Sequence, residues 1–135
     1  MAQVRWSLTA GNDLRDIEDF IARDSVLHAI TFVDRIIEAA ETLLKNTHLG
    51  RVVPEFSRSD LREVLFRGYR IVYLLQNDEV SILLVVHGAR DLPALVNREP
   101  WDISSWELRP FRGAWPSGFL IIRRKQDYAE TVRSH

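Results

Sequence analysis

Apolar and polar residues change their period several times along this chain, and each change marks an element. From Gln3 to Leu8 they alternate, with Val4, Trp6 and Leu8 on one side, as in a half-buried strand. Leu14, Ile17 and Ile21 then take helical spacing to about Ala22, with Phe20 beside the stripe. Thr9 or Asn12 can cap this helix, with Asp13 and Asp16 near its positive end. Asp24 or Ser25 starts a second helix whose stripe is Val26, Ile30, Val33, Ile37, Ala40 and Leu44, widened by Leu27, Ile36 and Leu43. The segment 46–60, holding Gly50 and Pro54, has no period and is expected to be a loop. From Leu61 to Asp91 three β-rich runs follow, broken at Arg67-Gly68 and at Gln76-Asn77-Asp78-Glu79, both tight-turn sequences. The order predicts an α+β fold: an N-terminal strand, a helical hairpin on one face of a small sheet, and a three-stranded antiparallel meander.

Residues Ile71–Leu75 and Ile82–Val86 are apolar at every position. Consecutive strand residues point to opposite faces, so both faces of the sheet are apolar near its middle. The helical hairpin covers only one. The other needs a partner chain, a second copy or the C-terminal part of this chain, since monomers rarely expose such a patch.

Composition narrows the class. At 135 residues, 46% hydrophobic and 27% charged, the chain is expected to form one globular domain. Its longest apolar run is far shorter than the roughly 20 residues of a membrane helix, and no signal-peptide core opens it. The absence of cysteine excludes disulfides and thiolate metal sites and suits a cytoplasmic location. The net charge of −1 conceals an asymmetry. Residues 1–45 carry five basic and eight acidic side chains, and residues 46–76 carry five arginines against three acids. Sixteen of the eighteen basic residues are arginine, which favours bidentate contacts with anionic groups, although a GC-rich genome would enrich it too.

Arg62, Arg67, Arg70, His87 and Arg90 are set into the meander and its end. An arginine is costly to desolvate, so these are candidates for contacting something polar or anionic. Each has an ordinary alternative: Arg70 can pair with Glu63 across the hairpin, His87 can cap loop backbone, and Arg90 can pair with Asp91. His28 and His48 lack metal-ligand spacing, and neither a metal nor a cofactor is expected. A single-strand nucleic-acid binder needs solvent-facing aromatic platforms, whereas Tyr69 and Tyr73 sit among aliphatics and are expected in the core.

The strand–helix–helix–strands order, the segments DLRDIEDFIARDS, FVDRIIEAAETL and LGRVVPE, and above all LRE…YRIVY…DEVSILLVVHGARDL resemble toxins of the RelE/ParE superfamily. These are the toxic partners of bacterial type II toxin–antitoxin systems. The resemblance runs from about Val4 to Leu92 and is closest to the ParE branch. It implies a cognate antitoxin whose C-terminal segment wraps the toxin, and a growth-essential target, DNA gyrase for ParE-like members. Arg62, Arg67, Arg70, His87 and Arg90 would then meet the antitoxin or the target, with no catalysis by this chain. RelE-like members instead cut messenger RNA in the ribosome. In that alternative Glu63, Arg70, His87 and Arg90 would be catalytic, with Arg70 and Arg90 at the phosphate. Two departures weigh against it: Leu92 to Val96 lacks the Tyr or His usual after the last core strand, and only Lys45 and Lys125 are lysines. An inactive antitoxin-binding relative is a third reading.

The resemblance leaves residues 94–135 over. We read residues 1–93 as the toxin domain and 94–135 as an extension that packs on it. That extension holds Trp101, Trp106 and Trp115 and the apolar stretch Phe119–Ile122. The expectation is that Trp101 and Trp106 lie on the second face of the sheet and Phe119–Ile122 add an edge strand, in a position to inhibit the toxin.

Overall fold

The structure, a computed structural model, describes residues 4–56, 58–76 and 79–88 and the backbone of 119–121. It is α+β, as expected. Strand β1 (Val4–Ser7) leads into helices α1 (Leu8–Ala22) and α2 (Val26–Glu41), which ends in a 3-10 turn at Thr42–Leu44. Strands β2 (Arg51–Val52), β3 (Leu61–Phe66), β4 (Tyr69–Gln76), β5 (Glu79–His87) and β6 (Phe119–Ile121) follow. The sheet order is β2-β3-β4-β5-β1-β6. The meander β3-β4-β5 is antiparallel, while β1 lies parallel to β5, with Val4 opposite Val80 and Trp6 opposite Ile82. A parallel neighbour needs a long crossover, and here the helical hairpin lies between β1 and the meander in sequence.

Helix α1 starts earlier than expected. Its cap is Ser7, whose Oγ accepts from the Ala10 N–H and donates to the Leu83 carbonyl, rather than Thr9 or Asn12. One hydroxyl therefore ends β1, starts α1 and fixes both to β5. With this start no acid lies in the first turn, and Asp13 instead ties the helix to the sheet, its Oδ2 accepting from Val85 N–H of β5 at 2.9 Å. Ser25 caps α2, as expected.

The buried stripe of α2 differs from the predicted one mainly at its start. Ala29, Phe32, Val33, Ile36, Ile37 and Ala40 are buried, whereas Val26 and Leu27 at its start are 63% and 75% exposed. Phe32, Val33, Ile36, Ile37 and Ala40 of this stripe and Leu14 and Ile17 of α1 pack on Val4, Trp6, Ile71, Tyr73, Val80, Ile82 and Val85. Fully burying one such large side chain contributes about 1.5–3 kcal/mol, and Trp6, Leu14, Ile36 and Ile82 each expose less than 2%.

The opposite face is apolar too, as the consecutive apolar runs required. Leu61, Val72, Leu74, Leu83 and Leu84 form a second cluster with Val53 and Phe56. A β-bulge assists: Val72 pairs with Leu84 and Tyr73 with Ile82, so Leu83 is the extra residue and both leucines join the second cluster. Val72, Leu74, Leu83 and Leu84 expose no more than 2% within the single chain. Val53 and Phe56 belong to the connection between β2 and β3, inside the segment expected to be a featureless loop. That segment also contains β2, which pairs Arg51 with Glu63 and Val52 with Arg62. Trp101 and Trp106, and most of the 94–135 extension, lie outside the described residues.

Both turns of the meander fall where the sequence put them. Arg67 and Gly68 have φ of 45° and 87°, and a two-residue type I′ hairpin turn needs positive φ at both positions. Gln76 pairs with Glu79 around the second turn.

Candidate functional site

The end of the sheet formed by the β3–β4 turn and the C-terminus of β5 gathers three of the five candidates. Tyr69 pairs with His87 and Arg70 with Val86, and the Gly88 N–H donates to the Gly68 carbonyl at 2.8 Å. Arg67, Arg70 and His87 thus share one end. They do not share one face. Strand alternation puts Arg70 with Val72 and Leu74 on the face away from the helices, and Tyr69 and His87 on the helix side.

On the helix side the edge is aromatic. Phe32 meets Phe66 and Tyr69 edge-on at 5.6 and 5.8 Å between ring centroids, and Tyr69 meets His87 at 5.7 Å. His28 closes on Phe32 at 6.1 Å. The Arg67 guanidinium lies over the Phe66 ring at 5.4 Å, in cation–π range. Arg67 and His87 are exposed, so this end offers a cation, an imidazole and aromatic edges to an incoming surface.

On the far face Arg70 is the centre of an ionic cluster. Its Nε and Nη2 donate to Glu63, and its Nη1 and Nη2 donate to Glu55 at 2.7 and 2.8 Å. Arg51 adds a second cation, with Nη2 3.2 Å from Glu63 Oε2. The Glu63 side chain is fully buried and that of Arg70 is 8% exposed. Such a pair offsets the desolvation of both ions only if the geometry is good, and the two-carboxylate clamp on one guanidinium meets that condition. The charge follows from it. Hydrogen bonding to Glu55 and then to Glu63 raises the Arg70 pKa above the ordinary arginine value, against the effect of burial. The Arg70 hydrogen bond holds Glu55 below the usual carboxylate range, against desolvation.

Arg62 stands elsewhere. Opposite Tyr73, its Nε donates to the Ser59 carbonyl and its Nη1 to the Gly50 carbonyl, at 3.0 and 2.9 Å. It fastens the connection around β2 to the sheet, as does Tyr73, whose hydroxyl accepts from Gly50 N–H and donates to the Thr47 carbonyl. Burial pushes the Tyr73 phenol up from its ordinary pKa, opposed by the Gly50 N–H. Arg90 lies outside the described residues.

The cross-hairpin partnership of Arg70 and Glu63 was readable in the sequence. Glu55 and Arg51 were not singled out, because they lie in a segment without periodicity. The usable signal was charge: the three acids of residues 46–76 are Glu55, Asp60 and Glu63, and each pairs with an arginine of the same stretch.

Chemically, the far-face cluster is closed. A guanidinium held by two carboxylates has few donors left for a phosphate, and Glu63 is engaged by two arginines rather than placed to take a proton. The solvent-exposed part is the tip with Arg67 and His87. No helix among the described residues is long and apolar enough to cross a membrane.

Known proteins resemble this chain over most of its sheet and helices. Residues 4–92 match the family described as "ParE toxin of type II toxin-antitoxin system, parDE". Toxin RelE2 of Caulobacter vibrioides is 35% identical over 91 residues, covering 67% of this chain and 99% of that protein. A solved structure described as "Chromosomal ParDE TA system from P. aeruginosa" has the same fold, with a TM-score of 0.54 and 22% identity over 64% of this chain and 96% of that one. The chain belongs to the ParE toxin family of type II toxin–antitoxin systems, within the RelE/ParE superfamily.

Proposed function

We propose that this chain is the toxin half of a toxin–antitoxin pair, that a cognate antitoxin segment neutralises it, and that it acts by binding DNA gyrase. The observation that carries binding over catalysis is the far-face cluster. Glu63 and Arg70, which a nuclease would need at the reacting phosphate, are spent on each other and on Glu55 and Arg51. The contact surface we assign is the tip carrying Arg67, Tyr69 and His87, with Arg90 following in sequence; Arg70 is held in the ionic cluster, and Arg62 binds the carbonyls of Ser59 and Gly50. An acidic antitoxin segment fits the exposed Arg67 and the half-exposed Arg51.

The RelE-like reading, a ribosome-dependent endoribonuclease, has one observation in its favour: the 35%-identical Caulobacter relative carries the name RelE2. Induction of the full chain from a tightly repressed promoter separates the readings. Growth should stop and resume when the protein encoded beside it is co-expressed, and primer extension on cellular messages should show no codon-phased cuts. Unimpaired growth would overturn the toxin reading. Phased cuts lost in Glu63→Gln and Arg70→Lys variants would transfer the function to the nuclease.

A further inference from the structure

The family match stops at residue 92, yet the sheet has a strand beyond it. The backbone of Phe119–Ile121 runs antiparallel along β1, with Arg5 opposite Ile121, Trp6 opposite Leu120 and Ser7 opposite Phe119. Without it, β1 would be the last strand on that side and its outer N–H and C=O groups would be open to another chain. Exposed edges invite pairing, and proteins blunt them with short strands or by covering them. The opposite edge uses the first device, since β2 is two residues long. The edge at β1 uses the second.

We propose that the segment beyond the family match supplies a guard strand: β6 closes the β1 edge against the β1 edge of a second copy of this chain. A second copy is the matching occupant. Two identical open edges pair antiparallel about a two-fold axis, each offering the other the same groups. The inference is independent of the toxin reading, because it concerns association of the free chain and holds whatever its target.

Two full-length variants test it. In Leu120→Pro/Ile121→Pro, successive amides face opposite sides of the strand, so at least one ladder donor is lost whichever side it served. Compared with the parent, its β1 amides should exchange with solvent at least tenfold faster in dilute solution. Its self-association in sedimentation equilibrium should be at least tenfold tighter. In Arg5→Cys/Ile121→Cys, placed in a chain without cysteine, mild oxidation should join the two positions within one molecule and leave self-association at the parent level. Unchanged exchange and association in the proline variant would overturn the proposal, as would failure of the cysteines to join. Loss of the cooperative fold in the proline variant would also overturn it, by making β6 a structural strand.

Discussion

Glu63 has a fully buried carboxylate, and its charge is matched by Arg70 and Arg51. Replacing it with alanine leaves Arg70 buried against Glu55 alone, and breaking a buried pair from one side costs about 3–5 kcal/mol. Glu63→Ala should therefore lower the unfolding free energy measured in urea by that amount, and a variant as stable as the parent would contradict the cluster's structural role. Glu55 sets a pH dependence. Its pKa in the folded chain is below the ordinary carboxylate value, so the unfolded chain binds its proton more readily. The stabilisation from Glu55 is complete above the ordinary carboxylate range and is lost as pH falls through its folded-state value. Glu55→Gln should flatten that part of the acid limb of the stability profile. Gly50 is fixed by space: a Cβ there would lie 2.6 Å from the Glu63 carbonyl oxygen and 2.6 Å from the Tyr73 hydroxyl. Gly50→Ala should cost about 1–3 kcal/mol in thermal or urea unfolding, because the backbone oxygen cannot yield. At this scale the sequence showed Arg70 beside Glu63 but not Gly50, whose constraint is a contact with a strand 13 residues away rather than a turn.

Elements were legible where a period was long and hidden where one residue serves two elements. Both helices, the three strands of the meander and the two turns are where the hydrophobic pattern placed them. The start of α1 was not, because Ser7 sits in the alternating strand pattern and only the fold shows its hydroxyl joining β1, α1 and β5. Ser7→Ala removes the cap and the bond to the Leu83 carbonyl together. The expected loss is about 1–3 kcal/mol, read by urea denaturation, with the largest rise in hydrogen exchange at the first turn of α1. The α2 stripe differs from the expected one mainly at its start, since Val26 and Leu27 are apolar but precede the part of the helix that meets the sheet. The short β2 left no trace in the sequence, as two residues are too few for alternation.

On the scale of the whole molecule, apolar runs on adjacent positions announced a sheet covered on both faces, and the two clusters are that arrangement. Strand order was beyond reach, because β1 reaches its parallel place beside β5 only through the packing of the hairpin. Of the five candidate residues, the fold exposes Arg67 and His87 at one tip, holds the half-buried Arg62 on loop carbonyls and turns Arg70 inward. On the proposed binding reading, toxicity should survive without nuclease chemistry. Supercoiling of relaxed plasmid by purified DNA gyrase, titrated with the purified full-length chain, tests this most directly. Inhibition should grow with the chain's concentration and be weakened at least tenfold by Arg67→Glu/His87→Glu. Undiminished supercoiling at a large excess of folded chain would contradict it.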